Sequence, residues 1–561
     1  MKLKIAIFLS GLFFMTACGS LDLNPLSDGS GETWNSNAEE IEMSLNGLYK
    51  DAFWMQDLDE WTDDWTYRDA TTPVTGATIN GETDFVITWW TNTYKAIARA
   101  NNVIQSVDRA GAVLSKDQID RYAAEARFIR ACQYSRLLSH FGNIVYTETA
   151  LTIEEALTLK QTPKETVLQK IYADFDFAAS KLKPTYSSSE LKRVTAGAAY
   201  AMKARIALQM SDWKTARDAA KACMDLKVYS LHTDFGNLFL SKTKNSVETI
   251  FALPRSVALK VTLGGLQDYI PRNAGGYAAK DPSWDLFCAF LCKDGLPIDE
   301  SPLFNPREPF KNRDPRCTAT IVEFQTSHIG FIFQPHPDSV QVLRTSNNTR
   351  VNNNDTRSVA QFASFNGLIW KKGIDADWTL NSWTAEPDKI IIRYADVLLM
   401  YAEAKIELNE IDQSVLDAIN MVRARAYGVS ATATTYPAVK TGPQVALRKT
   451  LRTERRMEFA LEGARYMDII RWKLAEKVLN KLNFGLLDPA DLRTKVVKPG
   501  LWFFPQKPEI DDDGVADFTP MFTAGLIKQL TIRKFDATRQ YLWPIPSKEV
   551  LTSGLVQNPG Y

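Results

Sequence analysis

The chain has 561 residues, and its 66 basic and 66 acidic side chains give a formal net charge of zero. Because nucleic-acid binding relies on a basic surface, this balance argues against a nucleic-acid-binding protein. With 45% hydrophobic and 24% charged residues, the composition excludes a disordered chain and indicates a large folded protein.

The first residues have the order of a bacterial lipoprotein signal. A short basic start precedes the apolar run 5–15, which is too short for a bilayer-spanning helix of about 20 residues. Small residues then lead to Cys18, and the arrangement resembles signals in which that cysteine carries the lipid. We predict a signal peptide at 1–17, lipidation of Cys18, a tether at 18–36 and membrane attachment through the lipid anchor. An ordinary signal peptide with an incidental cysteine is the alternative.

Paired amphipathic helices follow. Apolar residues at helical spacing predict a helical hairpin at 199–226, and the same layout returns at 397–422. Small alanines on the contact faces are typical of tetratricopeptide-type hairpins, which stack because one hairpin cannot bury its apolar face alone. Further helices are predicted at 38–53, 85–107, 118–140, 164–181 and, with a charged face, within 445–480.

The periodicity fails between 229 and 389, where proline, glycine, asparagine and aromatic residues are frequent. We predict an irregular ligand-binding lobe there, with short strands at 249–253 and 319–324. The fold class is therefore mainly α: a tetratricopeptide-like helical-hairpin array with a large loop-rich lobe. The predicted divisions after the tether are an N-terminal helical region at 37–228, the lobe at 229–389, a C-terminal helical region at 390–482 and an irregular segment packed on the lobe at 483–561.

The sequence offers little for catalysis. Its four histidines form no HExxH pair, and no Gly-x-Ser-x-Gly or glycine-rich phosphate loop is present. Cys288 and Cys292 lack the second pair that a zinc site needs. We predict a protein with no catalytic residues, no metal and no cofactor, while a pair of glycosidase carboxylates stays open at this point.

Several sequence blocks resemble the SusD/RagB family. They include AEARFIR at 124–130, TERRMEF at 453–459 and LWPIP at 542–546, with related blocks at 392–404, 468–472 and 557–561. The blocks follow the family's order behind a lipoprotein signal. The resemblance implies a surface lipoprotein of the outer membrane that docks on a SusC-like TonB-dependent transporter and captures nutrients, most often oligosaccharides. It transfers no ligand-binding residue, because the family's sugar contacts lie in variable loops.

Candidate ligand-binding residues come instead from sugar chemistry. A pyranose ring has an apolar face and a fringe of hydroxyl groups, so it favours flat aromatic side chains beside hydrogen-bonding groups. Such residues occur between two predicted helices and in the lobe, on segments expected to be loops. We predict ligand contacts from Asp59, Trp61, Trp65, Tyr67, Arg68, Trp284, Trp370, Trp378 and Trp383. For each tryptophan taken singly, burial in a core is the alternative.

The charged residues Arg393, Arg455, Arg456 and Glu458 are interpreted as ion pairs that connect helices. Three functions follow from the whole sequence. The first is a surface lipoprotein that binds oligosaccharides and delivers them to the transporter, with the helical array facing that partner. The second is the same architecture capturing peptides, as the RagB branch suggests. The third is a surface glycoside hydrolase with an unrecognised carboxylate pair.

Overall fold

The computed structural model describes residues 34–187, 190 and 192–561. The predicted signal peptide, Cys18 and all but the end of the predicted tether lie outside this part of the chain. The described part is mainly helical, which confirms the predicted fold class. Its α-helices are α1 (Ala38–Leu48), α2 (Asp84–Arg109), α3 (Lys116–Phe141), α4 (Ile153–Thr158), α5 (Lys164–Lys181), α6 (Ala196–Gln209), α7 (Trp213–Asp225), α8 (Trp284–Ala289), α9 (Pro315–Thr320), α10 (Tyr394–Glu407), α11 (Gln413–Ala426), α12 (Gln444–Phe459), α13 (Arg465–Arg471), α14 (Ala475–Leu479), α15 (Pro489–Leu492), α16 (Thr519–Thr523) and α17 (Ser547–Ser553).

Local sequence signals set several helix ends. At the start of α3, the Ser115 hydroxyl accepts a hydrogen bond from the Gln118 N–H, and the Gln118 side chain accepts one from the Ser115 N–H. The same helix ends at Gly142, which has a φ of 72°. Thr195 and Asp212 cap α6 and α7 through their side-chain oxygens. These boundaries follow from residues near each end, so they are visible in the sequence.

The helices form the predicted array. The pairs α1–α2, α3–α5, α6–α7 and α10–α11 pack together, and α7 packs against α10. This contact brings the two similar hairpins side by side, although they are far apart in the chain. Buried alanines such as Ala199 and Ala404 allow the close approach of the helix backbones. One core cluster extends through the array and includes side chains from both predicted helical regions.

The helix expected across 445–480 is broken into α12, α13 and α14. Leu461 and Gly463 between the first two have φ angles of 61° and 73°. A Cβ atom on Gly463 would lie 2.1 Å from the carbonyl oxygen of Asp57. The break therefore arises from a close backbone approach to a segment far away in sequence, which the periodicity of 445–480 does not contain.

Short strands form several small antiparallel sheets. The strands are β1 (Trp65–Tyr67), β2 (Thr249–Leu253), β3 (Lys280–Pro282), β4 (Ser327–His328), β5 (Phe331–Ile332), β6 (Gln341–Arg344), β7 (Thr349–Asn352), β8 (Lys389–Arg393), β9 (Leu482–Gly485), β10 (Glu509–Ile510), β11 (Ala516–Asp517) and β12 (Lys528–Ile532). They pair as β1–β3, β2–β8, β9–β12 and β10–β11, and β4 to β7 form a four-stranded meander.

One strand prediction is confirmed and one is wrong. The strand at 249–253 is β2, which pairs with β8. The region 319–324 is not a strand, because α9 continues to Thr320 and Ile321 makes only an isolated bridge to Trp370. The cause lies just upstream: Asp314 caps α9 and Pro315 is its first residue, which favours a helix start.

The irregular lobe has its own core cluster. It is rich in aromatic side chains from segments around β1, α8 and the long loops before and after β9, and it also takes Met457 and Ala460 from the end of α12. The lobe is thus packed on the helical array through α12. Among the residues that the model describes, no helix has the length and apolar composition to cross a bilayer.

Buried ion pairs hold the lobe and the array together. Glu458 of α12 accepts hydrogen bonds from Arg316 of α9, Arg393 of β8 and Arg425 of α11. These side chains are almost completely buried. On the same helix, Arg455 pairs with Asp396 and Asp468, and Arg456 with Asp63 and Asp64. The interpretation of these residues as ion pairs between elements is confirmed.

Candidate functional site

A two-stranded sheet places the first group of predicted ligand residues next to the lobe. β1 pairs with β3 so that Trp65 lies opposite Pro282 and Tyr67 opposite Lys280. The Trp65 and Tyr67 rings stack with centroids 6.0 Å apart and planes 10° apart. Trp65 is buried and Tyr67 is half-buried. The buried Trp65 ring thus packs against the half-buried Tyr67 ring and fixes its position.

Arg68 follows β1 and organises an exposed aromatic surface. Its Cζ atom lies 5.1 Å from the Phe362 ring centroid and 6.0 Å from that of Tyr67. Its Nη2 donates to the carbonyl oxygen of Tyr277 at 3.3 Å. Phe362 is 47% exposed and Tyr277 46%. We call Arg68, Tyr67, Tyr277, Phe362 and Trp383 the Arg68 patch.

Trp383 joins the patch through an unusual turn. Asn381, Ser382 and Trp383 all have left-handed φ angles, of 48°, 57° and 63°. Such conformations cost roughly 1–2 kcal/mol per non-glycine residue and concentrate at functional sites. The half-buried indole lies against Gly275, where a Cβ atom would come within 2.9 Å of its Cη2. The turn therefore fixes Trp383 beside the loop that carries Tyr277.

Two buried carboxyl groups lie beneath the patch. Burial raises the pKa of Asp281 well above its ordinary value, and the charge of Asp355 adds to that rise, whereas Arg68 and the Ser364 hydroxyl oppose it. Burial also raises the pKa of Asp355 to about 6, although its carboxylate accepts hydrogen bonds from the N–H groups of Arg272 and Asn273. Burial therefore favours the neutral form of Asp281.

The patch combines the two features that a sugar ring needs. Tyr277 and Phe362 are exposed aromatic residues, and Arg68 offers guanidinium N–H groups beside the Phe362 ring. The exposed Asp69 follows Arg68 in the chain and offers acceptor oxygens. This arrangement is suited to binding by stacking and hydrogen bonding.

Three of the predicted ligand residues lie in the patch: Tyr67, Arg68 and Trp383. Their contact with a ligand stays a prediction. The other six are buried, so the expectation that they form accessible platforms or polar contacts is wrong. These six are Asp59, Trp61, Trp65, Trp284, Trp370 and Trp378.

Packing between distant segments explains each burial. Trp61 lies 5.1 to 5.4 Å, between ring centroids, from Phe85, Trp543 and Tyr466 in the array core. Trp284 is held in the lobe core, where its Nε1 donates to the Asn366 carbonyl oxygen at 2.9 Å. Trp370 is completely buried and Trp378 packs 6.3 Å from Tyr269. These rings stabilise the protein by burial of apolar surface.

Asp59 is a buried structural carboxyl group. Its Oδ2 accepts a hydrogen bond from the Gly463 N–H at 2.8 Å, while its Oδ1 has no partner among the described residues. Burial and the nearby Asp64 raise its pKa to about 7. Asp59 therefore connects the turn between α12 and α13 to the segment before β1.

We expect Asp59→Asn to flatten the dependence of stability on pH. The unfolded chain loses this proton near pH 4 and the folded protein near pH 7, so the folded state binds more protons between them and stability falls as pH rises through that window. At pH 8 the variant should be more stable by up to about 4 kcal/mol, since the shift spans about three pKa units and each is worth about 1.4 kcal/mol. Urea unfolding at pH 5 to 8 measures this, with Asp69→Asn as the exposed control. Parallel curves for Asp59→Asn and the unmodified protein would contradict it.

Two patch residues were missed by the sequence analysis. Tyr277 follows two glycines, and a Cβ atom on Gly276 would lie 2.2 Å from the Ile270 carbonyl oxygen. The Gly-Gly-Tyr run is a usable signal, because such a tight loop projects the next side chain outward. No comparable signal marks Phe362, whose exposure depends on how its loop packs.

A groove outside the Arg68 patch is less suited to a sugar. It has a volume of about 740 Å³ and contains Trp213 and Trp472. The Cζ atoms of Arg452 and Arg471 lie 5.1 and 4.7 Å from the Trp472 ring centroid. The indole N–H donates to Glu403. This ring is thus already held by charged groups of the protein, whereas the Tyr277 and Phe362 rings are open.

The described residues contain no group of three or more His, Cys, Asp or Glu side chains arranged to hold a metal ion. Cys132, Cys223, Cys288, Cys292 and Cys317 are buried free thiols. Burial raises the pKa of Cys288 and of Cys317 to about 12, which makes these two thiols unreactive at neutral pH.

Comparisons with known proteins agree with the architecture. The model of the SusD family matches residues 258–561. A model described as starch-binding associating with outer membrane matches residues 27–208. The chain is also 25% identical to SusD-like protein P2 of Formosa agariphila, over all of both chains.

Solved structures are similar over nearly the whole length. A SusD-like carbohydrate-binding protein of Bacteroides fragilis is 26% identical, with a TM-score of 0.76 over 92% of this chain and 98% of that one. A SusD homologue of Bacteroides thetaiotaomicron has a TM-score of 0.68 at 20% identity, over 95% of this chain and 98% of that one. The second similarity concerns the fold alone.

Proposed function

Because the chain belongs to the SusD family, we propose that it is an outer-membrane lipoprotein that binds oligosaccharides through the Arg68 patch and delivers them to a SusC-like TonB-dependent transporter. The observation that carries the proposal is the pair of exposed aromatic residues, Tyr277 and Phe362: the Arg68 guanidinium lies over the Phe362 ring and donates to the Tyr277 carbonyl oxygen. The similarity to a carbohydrate-binding protein of Bacteroides fragilis supports the ligand class. The outer-membrane description of the matched N-terminal family model supports the location.

Binding without cleavage fits the carboxyl groups near the patch. Asp281 and Asp355 are 1% and 2% exposed, so neither can approach a glycosidic bond on the surface. A glycosidase needs two carboxyl groups on either side of that bond. An open aromatic surface also suits a sugar ring better than an extended peptide, which needs partners for its backbone and pockets for its side chains.

Titration calorimetry against a panel of plant, algal and host oligosaccharides tests the ligand class. We expect at least one saccharide to bind with a Kd in the micromolar to millimolar range, about −8 to −4 kcal/mol. A peptide mixture serves as the comparison, with bound peptides detected by mass spectrometry. Capture of peptides with no binding to any saccharide would contradict the proposal, and release of shorter sugars on incubation would contradict binding without cleavage.

The lipid anchor has its own test. In cells that lack the transporter, Cys18→Ala should remove the lipid and release the protein from the membrane fraction, because stable attachment needs more than one acyl chain. Fractionation with labelled fatty acid measures this, and Ser20→Ala serves as the control. Without the anchor, the released protein should still co-purify with the transporter through protein contacts. A Cys18→Ala protein that stays in membranes in the absence of the transporter would contradict the assignment.

A further inference from the structure

We propose that the ligand of the Arg68 patch is an acidic oligosaccharide, one whose sugar rings carry carboxylate or sulfate groups. This inference rests on the proposed function and narrows its ligand class. It is drawn from two arginines, Arg68 and Arg272, whose guanidinium groups lack carboxylate partners.

Arg68 has unused hydrogen-bonding capacity. Within the described residues its guanidinium forms no ion pair, and its one hydrogen bond is the 3.3 Å contact with the Tyr277 carbonyl oxygen. Its Nε is buried and has no partner. A guanidinium has five N–H donors in a fork that matches two oxygens of one anion. The Nη1 end of that fork is therefore available between Tyr67 and Phe362.

Arg272 lies on the loop that carries Tyr277. Its backbone N–H donates to Asp355 Oδ1 at 2.7 Å, which ties the loop to the floor of the patch. Its side chain makes no hydrogen bond with any described residue, and its Nε is buried without a partner. A buried N–H donor left unpaired is costly. Arg272 thus provides a second guanidinium whose N–H donors have no acceptor among the described residues.

The two acids beneath interact with these arginines without forming ion pairs with them. Burial raises the pKa of Asp281, the carboxyl group that interacts with Arg68, and so favours its neutral form. Asp355 accepts hydrogen bonds from backbone N–H groups of the loop, and its charge attracts Arg272 without an ion pair between the two side chains. Hydrogen-bond donors of Arg68 and Arg272 consequently stay open to an anion.

Several buried arginines of this protein are paired with carboxylates. Arg393, for example, contacts carboxylates of Glu248, Glu458 and Glu462. The unpaired guanidinium of Arg68 between the Tyr67 and Phe362 rings, with a second one at Arg272 on the loop that carries Tyr277, favours an anionic ligand. Its sugar rings would stack on Tyr277 and Phe362, and its carboxylate or sulfate oxygens would accept charge-assisted hydrogen bonds, which are about twice as strong as neutral ones.

Calorimetry with three oligosaccharides of equal length tests the inference: an oligogalacturonate, a sulfated carrageenan oligosaccharide and a neutral laminari-oligosaccharide. We expect at least one acidic ligand to bind about tenfold more tightly than the neutral one. Its affinity should fall between about 50 and about 300 mM NaCl, because salt screens exposed charges. The two acidic ligands distinguish a carboxylate from a sulfate.

Two variants locate the effect. Arg272→Gln and, separately, Arg68→Met should each weaken acidic-ligand binding by about tenfold, as expected for one charge-assisted contact. Arg344→Gln is the matched control, since this exposed arginine lies over Phe331 in another sheet. Equal affinity for neutral and acidic ligands, or variants that bind like the control, would overturn the inference and leave the proposed function standing. Binding of none of the panel saccharides would overturn both.

Discussion

Glu458→Gln is expected to destabilise the protein by about 3–5 kcal/mol, as for other buried ion pairs that lose one partner. Glu458 accepts hydrogen bonds from Arg393 Nη1 at 2.7 Å and Arg316 Nη1 at 3.1 Å, and also from Arg425. Burial by itself raises a carboxyl pKa, but these arginines and Lys372 hold the pKa of Glu458 well below its ordinary value. Its carboxylate therefore stays charged in the core.

Glutamine would remove that charge and direct an NH₂ group at an arginine N–H donor. The arginines would then be buried with fewer acceptors than donors, which is the expensive part of breaking a buried pair. Because Arg316 belongs to the lobe and Arg425 to the array, the variant should also loosen the contact between them. Urea unfolding gives the free energy, and limited proteolysis reports the lobe.

The control for this variant is Glu410→Gln. Glu410 pairs with Arg217 on the surface, where its side chain is 41% exposed, and exposed ion pairs contribute little to stability. We expect its unfolding midpoint to match that of the unmodified protein. If Glu458→Gln also unfolded at the unmodified midpoint, the network would not be what holds the lobe on the array.

The double variant Tyr277→Ala/Phe362→Ala is expected to weaken oligosaccharide binding by about tenfold to a hundredfold. An aromatic contact contributes roughly 0.5–1.5 kcal/mol beyond the area that it buries, and two such contacts approach this range. Both side chains are nearly half exposed, so their removal should leave the unfolding midpoint almost unchanged. Calorimetry with the best saccharide of the panel provides the measurement.

A surface aromatic outside the patch separates this effect from a general loss of hydrophobic surface. Phe522 of α16 is 36% exposed, and Phe522→Ala should bind the saccharide as the unmodified protein does. Full affinity in the double variant would show that the ligand binds elsewhere, and the groove around Trp213 and Trp472 would become the next surface to test.

The helices could be predicted because their signals are local. The pattern at 164–181 reproduces α5, and that at 118–140 differs from α3 by only a few residues at its ends. Apolar spacing, capping residues and helix-ending glycines act over a few neighbours along the chain. Stacking of the hairpins also follows, because each hairpin leaves an apolar face that must be covered.

The candidate site was only partly predictable. Trp61 and Tyr67 lie within one short acidic and aromatic segment, and their local surroundings are alike. Trp61 packs against Tyr466 and Trp543, which come from distant parts of the chain, and it is buried. Tyr67 is the last residue of β1 and is half-buried beside Arg68. Composition identifies a segment rich in sugar-binding residue types, but it does not distinguish these two rings.

The sequence by itself determined the mainly helical fold, the paired helices of the array and the charged residues that connect them. Only the tertiary structure decided which aromatic side chains remain accessible and that Arg68 and Arg272 form no ion pair within the described part of the chain. The physical reason is the range of the interactions. Helix formation depends on neighbours along the chain, whereas exposure and ion pairing depend on segments that meet only after folding.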